Sequence, residues 1–182
     1  MKEAPQSLLD TDRLDNIVRL LNIANKLDGS IAEVGVYRGG SAYYLDLLSN
    51  GKNVYLCDTF EGIPYKGELD KHEIGDFDAV SYEDIRERFP SAIILKGIFP
   101  DTAEIAINEN QTFCFVHLDA DQYKSTVDSL NYFYPKMVEG GVIIFDDWGW
   151  LPGVDLAITE FFKDKPEEIS QEVDMQCYII KK

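Results

Sequence analysis

Short apolar runs and amphipathic segments alternate along the chain. The runs are Ile31 to Val36, Val54 to Cys57, Ala92 to Leu95, Phe113 to Leu118 and Val142 to Phe145. Apart from Glu33 and His117 they are continuously apolar, the pattern of strands covered on both faces. Between them lie segments with helical spacing. Leu14, Ile17, Val18, Leu21 and Ala24 mark the first, which Gly29 brings to a stop. Others run from Ser41 to Leu48, Tyr82 to Phe89, Tyr123 to Met137 and Val154 to Phe162. In the Tyr123 segment, Tyr123, Val127, Leu130 and Tyr134 are expected to line one face. The alternation predicts an α/β domain with a mostly parallel sheet between two helical layers. The end differs: Glu168 to Val173 and Gln176 to Ile180 are separated only by Asp174 and Met175, too few residues for a crossover. They are expected to form an antiparallel hairpin.

A chain of 182 residues is long enough for one such domain, with a helical segment at 1–30 and a Rossmann-like core at 31–182. Its 33 acidic against 17 basic residues give a formal charge of −16. That surface repels phosphate backbones and anionic membranes, which argues against nucleic acid or a membrane as partner. There is no apolar run of spanning length, and the first ten residues lack the apolar core of a signal peptide. Cys57, Cys114 and Cys177 lie far apart inside apolar runs, which predicts buried, reduced thiols and a cytoplasmic protein.

Two interruptions carry candidate chemistry. Gly62 to Gly67 and the polar Asp70 to Val80 form a long loop after the second strand, the size of a lid or binding loop. The first strand runs into Glu33-Val-Gly35-Val-Tyr37-Arg-Gly39-Gly40-Ser41, a strand, glycine turn and helix that suit a nucleotide-like ligand. A dinucleotide fingerprint would place glycine where Tyr37 stands, and no Lys-Ser/Thr closes a P-loop. S-adenosylmethionine avoids both objections. It has no phosphate and presents an ammonium, a sulfonium and a ribose diol, groups that favour carboxylates. Glu33, just before the turn, is placed to reach the methionine end. Asp58, closing the second strand, stands where a ribose-binding acid belongs.

Further carboxylates end the fourth and fifth strands, in His117-Leu-Asp119-Ala-Asp121 and Phe145-Asp146-Asp147. If these strands are neighbours, like charges converge and require neutralising. Oxygen donors without Cys or clustered His point to Mg²⁺, or to Mn²⁺ or Ca²⁺ in its place. The competing reading is that Asp121 and Asp147 cap the helices that follow. His117 is expected to point to the opposite face from Leu118 and to be structural.

With these stretches in hand, the sequence resembles the macrocin O-methyltransferase (TylF/MycF-type) family of class I S-adenosylmethionine-dependent methyltransferases. The resemblance rests on Glu33–Ser41, on Asp58-Thr-Phe-Glu-Gly-Ile-Pro64, on Lys96-Gly97 with Phe99-Pro-Asp-Thr102, on His117–Tyr123 with Ser125-Thr126, and on Gly140–Asp147. They appear in the family's order across residues 31 to 162. The resemblance implies a class I methyltransferase fold and methyl transfer to a hydroxyl, typically on a sugar of a natural product. It also implies Mg²⁺ held by Asp119, Asp146 and Asp147, with Asp119 as the base. The cofactor site it implies comprises Glu33, Gly35, Tyr37, Gly39, Gly40, Ser41, Asp58, Thr59 and Phe60. Family members carry a longer N-terminal region that covers the substrate and helps build an oligomer, so a homo-oligomer is open here. Where the family commonly has Tyr after the paired aspartates, this chain has Trp148 and then Trp150, candidates for an acceptor platform. Two alternatives stand beside this reading: a metal-dependent glycosyltransferase using Asp119-Ala-Asp121 as a DxD motif, and a non-catalytic cofactor-binding domain.

Overall fold

The computed structural model describes residues 5–182. Helix α1 (Thr11–Ala24) is followed by β1 (Ser30–Val34), α2 (Gly40–Leu47), β2 (Val54–Asp58), α3 (Tyr82–Arg88), β3 (Ile93–Lys96), α4 (Asp101–Ala106) and β4 (Phe113–Leu118). Then come α5 (Tyr123–Phe133), β5 (Met137–Asp146), α6 (Pro152–Phe162), β6 (Ser170–Val173) and β7 (Gln176–Ile180). The strands form one sheet in the order β3-β2-β1-β4-β5-β7-β6. β1 to β5 run parallel, while β7 lies antiparallel to β5 and β6 antiparallel to β7. The expected hairpin is therefore present, and β7 completes the sheet by pairing Val142–Asp146 with Ile180–Gln176.

Alternation along the central strands separates two cores. Ala32, Val34, Val116, Leu118, Ile143 and Phe145 face Leu130 and Phe133 of α5 and Val154, Ile158 and Phe162 of α6. Ile31, Leu56, Phe115, Val142 and Ile144 face Ile17, Leu20 and Leu21 of α1, Leu45 of α2, Ile85 of α3 and Phe89 just after it. Burial on both sides explains why the strands read as unbroken apolar runs.

Several boundaries differ from the sequence reading. β1 ends at Val34, because Gly35 at φ +88° turns the chain. β5 begins at Met137, five residues before the apolar run, and α4 lies in a stretch with too little periodicity to announce a helix. α5 ends at Phe133, with a 3-10 turn at Tyr134–Lys136 around Pro135, rather than reaching Met137. Its buried face is Thr126, Ser129, Leu130 and Phe133, while Tyr123, Val127 and Tyr134 sit only half-buried. The three thiols are free and buried, as expected. No helix among the described residues is long and apolar enough to cross a membrane.

Candidate active site

The strand order reverses between β1 and β4, and beyond their carboxyl ends opens a cavity of about 250 Å³. That is where an open parallel sheet places ligands. Gly35, Tyr37, Gly40, Ser41, Asp58 and Thr59 line it, together with Asp119, Asp121, Asp146 and Asp147.

The glycine turn owes its shape to Asp58. One carboxylate oxygen accepts the amides of Val36 (2.7 Å) and Tyr37 (2.9 Å), and the other accepts the amide of Phe60 (2.8 Å). Two N–H groups that a phosphate-binding turn would present are thus already taken, and the turn shows an acidic rather than an anion-binding face. Tyr37 and Phe60 adopt φ values of 46° and 53°, a conformation uncommon for side chains of their size. Phe60 packs against Tyr82, and Gly39 gives room to the ring of Phe89. Neither residue lines the cavity.

Glu33 does not reach the cavity. Its carboxylate lies on the α1 side of the sheet, fully buried, 2.8 Å from Nδ1 of His117. Strand alternation is the reason: Glu33 shares a face with Ile31, whereas Val34 turns the other way. His117 accordingly points away from Leu118, as expected.

Asp119, Asp146 and Asp147 each bring a carboxylate oxygen within 4.8 Å of the others. β4 and β5 are adjacent with Leu118 opposite Phe145, so the residues that follow emerge side by side. Burial, then the charges of Asp146, Asp121 and Asp147, hold the Asp119 carboxyl well above the usual carboxylate range. Burial likewise pushes Asp146 up to about 6, against the opposing pull of His117 and Arg13. Asp121 is raised by burial and by a hydrogen bond with Asp147. Hard oxygen donors, crowded and partly desolvated, match the chemistry of a small divalent cation.

The helix-capping alternative does not hold. Asp70, from the long loop, accepts the amide of Tyr123 at the start of α5 (2.9 Å), and neither Asp121 nor Asp147 caps a helix with its side chain. Both instead adopt left-handed backbone, φ 59° and 60°, and turn toward the cavity. The loop is well fastened: Ile63 exchanges backbone hydrogen bonds with Gly75 and Asp76, Asp70 also accepts the Gly67 amide, and Gln122 donates to the Tyr65 carbonyl. It contributes Ile63, Pro64, Tyr65, His72 and Phe77 to the cavity. Nε2 of His72 lies 3.9 Å from Asp121.

Three partners of the site were not singled out from sequence. Arg13 donates to Asp146 at 2.8 Å, and Gln176 donates to its other oxygen at 2.9 Å. Asp70 is the third. Arg13 had a usable signal: it lies on the apolar stripe of α1, one turn before Ile17, where a charge needs a buried partner. Of the two tryptophans, Trp148 packs on the core, while Trp150 is exposed with Nζ of Lys71 3.9 Å from its ring centre.

Known proteins share this sequence and fold. The chain matches the macrocin-O-methyltransferase (TylF) family over residues 3–182. Demethyldecarbamoylnovobiocin O-methyltransferase of Streptomyces niveus is 30% identical over 177 residues, covering 85% of this chain and 67% of that protein. Mycinamicin III 3''-O-methyltransferase of Micromonospora griseorubida is 24% identical, covering 85% and 69%. Among solved structures, the O-methyltransferase NovP superposes with a TM-score of 0.85 at 27% identity, over 96% of this chain and 81% of that one. An O-methyltransferase from Bacillus cereus in complex with SAH, 17% identical, shares the fold with a TM-score of 0.66.

Proposed function

The chain belongs to the macrocin O-methyltransferase family and is a methyltransferase; we propose that it transfers a methyl group from S-adenosylmethionine to a hydroxyl of a sugar-containing small molecule, with Mg²⁺ or a similar divalent cation at Asp119, Asp146 and Asp147. The single observation that carries this reading is the meeting of a carboxylate trio and a carboxylate-braced glycine turn in one cavity. The relatives named above are, by their names, O-methyltransferases of demethyldecarbamoylnovobiocin and mycinamicin III, and a third, 29% identical, is a 4'-O-methyltransferase of a rhamnosyl-tetracenomycin C. The glycosyltransferase alternative gains nothing, because the turn has no free amides at 36 and 37 for a diphosphate.

In this reading Gly35 brings the backbone close to the cofactor, and Gly40, Ser41, Asp58 and Thr59 border it. Asp119, Asp146 and Asp147 would hold a divalent cation, which would supply Lewis-acid activation of the acceptor hydroxyl. By holding the ion in one place, the three carboxylates would orient the hydroxyl against the methyl group, and orientation of this kind accounts for a large share of such a barrier. The base is drawn from the same cluster. Asp119 is the residue the family resemblance names; Asp121, outside the trio, borders the same space and is hydrogen-bonded to Asp147. The loop carrying His72 and Phe77 shields the reacting groups from water. The buried thiols suit the reducing cytoplasm in which we place the enzyme.

The test is calorimetric titration with S-adenosylhomocysteine, followed by a methyl-transfer screen over glycosylated acceptors with Mg²⁺ and with EDTA. Cofactor binding with cation-dependent transfer supports the proposal. Binding with no transfer to any hydroxyl acceptor points to a non-catalytic domain, and transfer unaffected by EDTA removes the cation.

A further inference from the structure

The segment before α1 lies across the cofactor cavity. Gln6, Ser7, Leu8 and Leu9 line it, and Gln6 accepts a hydrogen bond from Arg38 of the glycine turn at 3.0 Å. Ser7 packs so closely on the start of α2 that a Cβ on Gly40 would lie 2.5 Å from it. This strap is joined to the rest of the site through Arg13. Nη2 of Arg13 donates to the carbonyl of Leu8 (3.2 Å), Nε to the carboxylate of Asp10 (3.0 Å) and Nη1 to Asp146 (2.8 Å). A planar guanidinium with donors on three sides fixes all three acceptors at once, which a lysine cannot do. Asp10, the cap of α1, holds Arg13 twice, since it also accepts the Arg13 amide.

We propose that Arg13 is a positioning residue that couples the two halves of the site, so that a cofactor held under the strap raises the affinity of Asp119, Asp146 and Asp147 for a divalent cation. This rests on the cation site proposed above. A ligand that packs against residues 6–9 restrains the Leu8 carbonyl. That restraint orders the guanidinium, and the guanidinium orders one oxygen of Asp146 while Gln176 orders the other. Partners of this outer kind typically change metal affinity by 10–100-fold. Arg13 also repels a cation through its positive charge, which works against binding. The repulsion is present with or without cofactor, so the difference between the two conditions isolates the positioning effect.

The experiment is Mn²⁺ titration, followed by electron paramagnetic resonance of the free ion, with and without saturating S-adenosylhomocysteine. In the unmodified protein the cofactor product is expected to tighten Mn²⁺ binding about fivefold or more, within the usual range of coupling between sites. By reciprocity, Mn²⁺ tightens S-adenosylhomocysteine by the same factor. In Arg13→Gln the factor falls to about one, whichever way the Mn²⁺ affinity itself moves. Asp10→Ser keeps a good cap on α1 but loses the carboxylate that aligns Arg13, and it is expected to lose most of the coupling. It carries the test if Arg13→Gln does not fold. Coupling that persists in both variants overturns the proposal, as does Mn²⁺ binding to the unmodified protein that ignores S-adenosylhomocysteine. No Mn²⁺ binding at all overturns the cation site itself, and this inference with it.

Discussion

The Cβ that Gly35 lacks would lie 1.7 Å from the carbonyl oxygen of Asp119. The first strand's turn and the end of β4 therefore touch backbone to backbone, held by the Asp119 amide donating to the Val34 carbonyl at 2.9 Å. The glycine turn and the first of the clustered carboxylates are one rigid unit. Gly35→Ala combines this clash with a φ of +88°, and the expected loss of stability is roughly 3 kcal/mol or more. Thermal or urea unfolding reads it directly; a midpoint unchanged from the parent would show that the two segments move apart freely.

Asp58 accepts three backbone amides, so its removal loosens the turn before anything else. Asp58→Ala is expected to weaken S-adenosylhomocysteine binding at least tenfold, about 1.4 kcal/mol. Calorimetry measures this, and an unchanged dissociation constant would exclude Asp58 from the cofactor site.

The clustered carboxylates give stability an unusual pH profile. Asp146 is raised to about 6, and Asp119 and Asp121 are raised as well, chiefly by burial. Unfolded aspartates titrate near pH ~3.9. Between these limits the folded chain holds more protons than the unfolded one, so this contribution is complete below about pH 4 and is lost as pH rises through about 6. Cation-free protein is expected to melt at a higher temperature at pH 5 than at pH 7.5. Mg²⁺ should raise the midpoint more at pH 7.5, where the carboxylates are ionised. Scanning calorimetry at the two pH values, with and without the ion, checks both statements; an equal response to Mg²⁺ would count against the cluster as its binding place.

Asp119 and Asp121 separate by function if the trio is the cation site. Asp119→Asn is expected to reduce both Mn²⁺ affinity and turnover. Asp121→Asn is expected to lower kcat by roughly 100-fold or more, within the range of a lost general base, while Mn²⁺ affinity stays within a few-fold. Single-turnover rates and Mn²⁺ titration on the same preparations decide it. Full activity in Asp121→Asn would leave Asp119 as the base.

Trp148 and Trp150 differ in burial and are expected to differ in effect. Trp148→Ala removes a ring packed on the core and costs roughly 2 kcal/mol of stability. Trp150→Ala leaves stability nearly unchanged and raises the acceptor KM several-fold, because the exposed ring packs on Lys71 of the loop that lines the cavity. Steady-state kinetics against acceptor, with cofactor saturating, distinguishes the two. An unchanged KM would remove Trp150 from acceptor binding.

The sequence displays what depends on periodicity and hides what depends on partners. Every predicted strand is present, because runs such as Phe113–Leu118 are buried on both faces and leave no other reading. The convergence of Asp119 with Asp146 and Asp147 was legible for a related reason: residues that end neighbouring parallel strands must emerge together. Glu33 beside a glycine turn reads as a ligand contact, and nothing local shows that its partner in the fold is His117, 84 residues away. Asp70 was hidden in the same way, since nothing local shows that it caps α5. The helix face of α5 was misjudged because Thr126 and Ser129 are buried there, where large apolar side chains were expected.

Asp146 is held by Arg13, 133 residues before it, and by Gln176, 30 residues after it. Synthesis proceeds in one direction, so these two grips form at different times. As the chain emerges from the ribosome, α1 and the parallel strands are free to assemble first. One oxygen of Asp146 then waits for the final hairpin, which must insert β7 between β5 and β6 before Gln176 arrives. Until it does, Asp146 is gripped on one side only, so the carboxylate with the most partners in the cluster depends on chain from both sides of it in sequence.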